Sequence, residues 1–152
     1  DNVILNMIGE LNDLPENLQK KLLRTRKDSE KNTGITLTLA LSYSSRAEIV
    51  QACAKIAREV KSGKLDPDRI DEATVSGNLF TSGMPDPELL IRTSGEMRIS
   101  NFLLWQISYS ELYVTQKLWP EFTREELEKA VTDYRSRERR FGTTEAVKGL
   151  PR

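Results

Sequence analysis

"GITLTLALSYSSRAEIVQACAKIAREVKSG", residues 34–63, decides how this chain folds. Ile35, Leu37, Leu39 and Leu41 alternate with Thr36, Thr38 and Ala40, and the uncharged intervening side chains also suit burial. That pattern predicts an interior strand. The strand runs into the clearest helix of the chain. Ser45 and Glu48 stand in the S-x-x-E order of a capping box. Ile49, Val50, Cys53, Ile56, Ala57 and Val60 supply a buried face, and Gly63 follows the helix end. A buried strand leading into an amphipathic helix is the repeating half of a parallel α/β fold.

The rest of the chain fits that plan. Val3 to Ile8 reads as a buried strand closed by Gly9. Asp13 is placed to cap a helix with Pro15 in its first turn and a Leu14, Leu18, Leu22 stripe. "DPDRIDEATVSGNLF" reads as one short helical stretch or two, and "TSGMPDP" as a loop. "ELLIRT" and "ELYVT" read as short strands, "NFLLWQ" between them as a helical turn or short helix, and "WPEF" as a turn. Thr123 and Glu126 suggest a second capping box, opening a helix to about Arg140 with Leu127, Ala130, Val131 and Tyr134 inward. Strands alternating with helices predict an α/β fold, a mostly parallel sheet flanked by helices, in a single domain over residues 1–152. In such sheets ligands bind beyond the carboxyl ends of the strands. Two strand ends carry polar side chains there, Ser42–Arg46 and Arg92–Ser100.

Composition narrows the chemistry. Lysine plus arginine and aspartate plus glutamate both number 23, so the formal net charge is zero and no nucleic-acid partner is expected. One cysteine and no histidine remove an internal disulfide, a Ser-His-Asp triad and a Cys/His zinc site, and favour a reducing compartment. A general base or metal ligand must be a carboxylate, which suits magnesium. The opening "DNVILNMIGE" lacks the basic region of a signal peptide and enters an apolar run almost at once, as a chain starting inside a domain would.

"IRTSGEMRISNFLLWQ", residues 91–106, holds the densest polar chemistry. Arg92 and Arg98 are donor forks suited to phosphate, and Thr93, Ser94 and Ser100 add hydroxyls. Gly95 would let backbone N–H groups approach an anion. Glu96 and Glu111 could hold a magnesium ion shared with a diphosphate. The competing reading is a solvated loop whose arginines pair with Glu96 and Glu88. These residues alone leave both open.

A longer match bears on the choice. Residues 85–122, "PDPELLIRTSGEMRISNFLLWQISYSELYVTQKLWPEF", resemble the C-terminal signature of the cis-prenyltransferases, in particular bacterial undecaprenyl diphosphate synthase. "ITLTLALSYSSRAEIVQA", "VILNMIGELNDLP" and "ERRFG" (residues 138–142) are similar to other family segments, so the resemblance covers nearly the whole chain. It implies a magnesium-dependent enzyme that condenses isopentenyl diphosphate onto farnesyl or another allylic diphosphate to make a long polyprenyl diphosphate. It implies that Arg92, Arg98 and Ser100 bind the isopentenyl diphosphate head and that Glu111 helps hold the metal. Weaker roles fall to Glu96 beside that site, to Arg46 (with Glu48, a recurrent family pair) and to Ile35 at the far end of an apolar product tunnel. A homodimer in the cytoplasm, touching the membrane peripherally to release product, is also implied.

The family's Asp-Gly-Asn-Gly-Arg-Trp signature, with the essential aspartate, is absent. The expectation is therefore the C-terminal portion of a longer catalytic domain, inactive alone. Ser42-Tyr43-Ser44-Ser45-Arg46 stands where the family has Asn-Tyr-Gly-Gly-Arg, and Met97 where some members have histidine. Two alternatives stay open: a non-catalytic partner of a prenyltransferase, and an unrelated phosphate-binding module.

Overall fold

The computed structural model describes residues 2–137. It divides into two compact units: Asp1–Pro85 with Ser100–Leu104, and Asp86–Ile99 with the chain from Trp105 onward.

In the first unit, β1 (Ile4–Ile8) is followed by a 3-10 turn at Leu11–Asp13 and by α1 (Glu16–Ser29). β1 pairs in parallel with β2 (Thr36–Ala40), Ile4 opposite Thr36 and Ile8 opposite Ala40. The other edge of β1 is met by side chains from the end of α1. The Leu5 N–H donates to Ser29 Oγ at 2.9 Å, and Asn32 Nδ2 donates to the Val3 carbonyl at 2.6 Å. Asp13 does not cap α1. Pro15 takes the cap position itself, because a residue before proline is driven extended, and Leu14 has ψ 155°. Of the leucine stripe, Leu14 and Leu22 are half-buried and Leu18 is exposed.

β2 is not the interior strand its composition suggests. Among the described residues it is paired on one side only, and Ile35 and Leu37 are 74% and 50% exposed. Apolar alternation reports what a strand could bury, not what covers it.

α2 (Ser45–Lys61) is capped one residue earlier than its sequence implies. Ser44 Oγ accepts the Ala47 N–H at 3.4 Å, while Ser45 and Glu48 lie inside the helix, both buried. Its inner face is accordingly Ser45, Glu48, Ala52 and Ile56, with Ile49 and Val60 half-buried. Val50, Cys53 and Ala57, expected inward, are exposed. Beyond α2 a 3-10 turn at Pro67–Arg69 precedes α3 (Glu72–Ser76), so the "DPDRIDEATVSGNLF" stretch forms two pieces. The Ser100–Leu104 segment makes turns, not a helix: Ser100, Asn101 and Leu103 have φ of 53°, 61° and 48°. Left-handed residues cannot propagate a right-handed helix.

The second unit is built on β3 (Leu89–Arg92) and β4 (Glu111–Val114), again parallel, with Leu89 opposite Glu111 and Arg92 opposite Val114. A 3-10 turn at Trp119–Glu121 leads to α4 (Arg124–Ser136), whose Ala130 is fully buried. Leu127, expected inward, is exposed. Thr123 makes no cap bond, because its hydroxyl donates to Glu125 and Glu126 pairs instead with Lys129 at 2.6 Å. The helix expected to reach Arg140 ends at Ser136; Arg140 and "ERRFG" lie outside the described residues. No helix among the described residues is long and apolar enough to cross a membrane.

Gly9 closes β1 with φ 102°, and a Cβ there would collide with the Leu41 carbonyl oxygen. Gly9→Ala is therefore expected to destabilise the first unit by about 1–3 kcal/mol from backbone strain, more with the collision. A lowered urea midpoint at unchanged slope checks it.

Candidate functional site

Arg92 ends β3, and its backbone is fixed by the ladder, since its carbonyl accepts the Thr115 N–H at 2.9 Å. The chain then turns through Ser94 and Gly95, with φ of 68° and 66°. Their N–H groups continue the pairing, Ser94 to the Lys117 carbonyl at 2.8 Å and Gly95 to the Thr115 carbonyl at 2.9 Å. Those donors are therefore spent, and Gly95 does not offer an anion cradle. It is needed because the Gln116 carboxamide lies where a Cβ would stand.

The turn brings the chain back so that Arg92 and Arg98 line one cavity of about 180 Å³, with Leu90, Glu96, Met97, Ile99, Leu112 and Val114. That is the liquid volume of about six waters. It lies below the roughly 300–1,000 Å³ that encloses a drug-sized ligand, so it suits a small head group. The two arginines differ. Arg92 is half-buried, and its Nε is buried without a hydrogen-bond partner. Arg98 is 67% exposed at its side chain and forms an ion pair with Glu96. Two guanidinium groups against one carboxylate leave the cavity a net positive charge within apolar walls. A buried, unpaired guanidinium nitrogen is costly until an anion meets it.

Glu111 opens β4, three residues from Val114 and so roughly 10 Å along the strand from the Arg92 end. Its carboxylate accepts from Arg137 Nη1 at 2.8 Å; Arg137 also donates to the Leu112 carbonyl at 3.0 Å and to Asp133. The hydrogen bond to Glu111 is the leading reason the Arg137 pKa is raised above its ordinary value. Among the described residues no three Asp, Glu or Cys side chains converge as metal ligands. With Glu96 on Arg98 and Glu111 on Arg137, these residues do not compose a magnesium site.

Ser100, Arg46 and Ile35 belong to the first unit. Ser100 is exposed on the left-handed turn. Arg46 is exposed in the first turn of α2. Ile35 precedes β2, at the strand end away from Ser42–Arg46.

Sequence reasoning missed the interior of the α2 start. Glu48 is 2% exposed; it accepts the Tyr43 hydroxyl at 2.5 Å and the Phe80 N–H at 2.7 Å. The Tyr43 ring meets Phe102 and Phe80 edge-on, with centroids 5.7 and 6.4 Å away. Burial, then the hydrogen bond to Glu48, push the Tyr43 pKa up to about 12. A tyrosine five residues before a helical glutamate is too loose a signal to reveal this pair in advance.

Residues 1–142 match the family described as putative undecaprenyl diphosphate synthase. An isoprenyl transferase of Geobacter sulfurreducens is 51% identical over 96% of this chain and 59% of its own length. A ditrans,polycis-undecaprenyl-diphosphate synthase of Micrococcus luteus, specific for (2E,6E)-farnesyl diphosphate, is 48% identical over 93% of this chain and 57% of its own. Among solved structures, lavandulyl diphosphate synthase of Lavandula x intermedia, in complex with dimethylallyl diphosphate, superposes with a TM-score of 0.90. It is 43% identical, covering 93% of this chain and 61% of that one. The chain thus spans a little over half the length of the curated relatives it matches.

The Tyr43–Glu48 pair has a pH signature. A phenol whose folded pKa lies above its unfolded value of about 10 contributes stability in full below pH 10. That contribution is lost as pH rises through about 12. Tyr43→Phe should flatten the fall in stability between pH 10 and 12. At pH 7 it should cost about 1–3 kcal/mol by leaving a buried carboxylate one donor short. Urea titrations at pH 7, 10 and 11.5 measure both.

Proposed function

The chain belongs to the undecaprenyl diphosphate synthase family of cis-prenyltransferases, and from that premise we propose that the protein containing it extends an allylic diphosphate, such as farnesyl diphosphate, with isopentenyl diphosphate. The product is a long polyprenyl diphosphate of the undecaprenyl kind. One observation carries the reading: Arg92 and Arg98 share a small, apolar-walled, positively charged cavity beside the carboxyl end of β3.

The chemistry asks for such a place. In each extension the allylic carbon–oxygen bond breaks and diphosphate departs. The isopentenyl double bond forms the new carbon–carbon bond, and a proton is lost from the donor carbon chain. The donor's own diphosphate takes no part in bonding and serves as a handle. Holding that handle fixes the double bond against the electron-poor carbon and converts a chance encounter into an oriented one. Arg92 supplies an always-charged planar donor whose unmet Nε gains a partner when the anion arrives. Arg98 must exchange Glu96 for the anion. Apolar Leu90 and Val114 beside the half-buried Arg92 limit water around that guanidinium group, which strengthens its contact. Ser100 is assigned the same ligand by resemblance alone. Magnesium, which the resemblance also implies, requires ligands beyond those brought together here; gripping the donor head needs only the two guanidinium groups. Retention of both arginines in one cavity favours a substrate-binding chain over a purely supporting partner.

Titration calorimetry of the full-length protein with isopentenyl diphosphate tests the reading. Arg92→Ala should weaken binding by about 30-fold or more, the scale for removing a buried charged partner. Arg92→Lys should not restore it, because an ammonium lacks the planar fork. Arg98→Ala should cost less, about tenfold or below, since that side chain is mostly in water. Lys61→Ala should bind as the wild type does. Unchanged affinity in both arginine-to-alanine variants overturns the reading.

A further inference from the structure

Glu96 and Arg98 follow the Ser94–Gly95 turn with Met97 between them, and both line the cavity with Arg92. The pair is uneven. The Glu96 side chain is 32% exposed and that of Arg98 67%. Glu96 Oε2 is buried and makes no hydrogen bond; Arg98 Nη1 meets it as an ion pair. Attraction without aligned hydrogen bonds is the weaker part of what a carboxylate can offer a guanidinium fork. The pair is also easy to close, because so little chain separates its members. Its root is fixed, since the Ser94 and Gly95 N–H groups are bonded to the Lys117 and Thr115 carbonyls.

Arg92 has no such partner at its Nε. The empty cavity therefore holds one guanidinium group with an unmet donor and one engaged by a carboxylate of the chain itself. Toward Arg98 that carboxylate does what a ligand oxygen would do. With it, the cavity carries one net positive charge rather than two. An anion of single charge gains little by displacing Glu96, whereas a diphosphate has acceptors and charge for both arginines. Specificity is a difference of affinities, and an internal rival supplies it against the weaker anion.

We propose that Glu96 is a built-in competitor of the donor diphosphate: its carboxylate holds Arg98 in the empty site and must be displaced before both arginines can grip the head. This deepens the donor-site reading above and rests on it. The competent cavity is the fraction of molecules in which Arg98 is released, so the observed affinity is the intrinsic one reduced by that fraction. The reduction falls on association. A contact made to bound ligand would show in dissociation instead.

The experiment compares full-length Glu96→Gln, Glu96→Ala and Asp86→Asn with the wild type, with Arg92→Ala and Arg98→Ala in parallel. The ligands are isopentenyl diphosphate and inorganic diphosphate. Glutamine keeps the side chain's shape and removes its charge. Asp86→Asn removes one charge from an exposed side chain three residues ahead of β3, outside the cavity lining, and so reports the general field alone. By titration calorimetry Glu96→Gln should bind both ligands about three- to fivefold more tightly, the scale set by a partly exposed ion pair. Stopped-flow mixing should place that gain in faster association, with the dissociation rate unchanged. Glu96→Ala should move the same way, and Asp86→Asn should bind as the wild type does. Unchanged or weaker binding in both Glu96 variants, a gain carried by slower dissociation, or an equal gain in Asp86→Asn would each overturn the proposal and leave the donor site standing. If neither arginine variant loses affinity, the donor site falls and this inference with it.

Discussion

The parallel pairing of β3 with β4 is the constraint on which the arginine cavity depends. Its register places Arg92 opposite Val114, and the ladder runs on past both strand ends through Thr115, Gly95, Ser94 and Lys117. The guanidinium group of Arg92 therefore springs from a backbone with no freedom to relax. The turn that returns Arg98 is pinned by the same bonds, with Gly95 pressed against Gln116. Preorganisation of this kind lowers the entropy an anion must overcome to be held.

Much of this was legible in the sequence, and the failures have identifiable causes. The four strands among the described residues are readable from short apolar runs, because a run such as "ELLIRT" ended by a polar loop has few alternatives to a buried strand. α2 was readable too, but its phase was not. Ser45 and Glu48 satisfy the capping-box spacing, yet both are drawn into the interior by Leu104, Tyr43 and Phe80. A spacing rule cannot see partners more than thirty residues away. "NFLLWQ" misled for the opposite reason. Its apolar content suggests helix, while the left-handed backbone that Asn101 stabilises is invisible to hydropathy.

The candidate site was legible in part. The two arginines were identified from residue type and from resemblance, and the fold brings them together. Gly95 does not open backbone donors to an anion, because those donors complete the ladder. Glu96 and Glu111 are each engaged by an arginine, one at the cavity and one at the far end of β4. The pairing of Arg98 with Glu96 expected of a solvated loop is present, and the same guanidinium group lines the cavity it shares with Arg92.

The side chains of Ser29 and Asn32 set a direction for the first sheet. They satisfy the Leu5 amide of β1 and the Val3 carbonyl just before it, so an incoming extended segment finds that donor and that acceptor already engaged. Among the described residues β2 is paired on one side only, so its other edge is the border at which a further strand would add. Two short polar side chains at a helix end thus blunt one border of the strand pair.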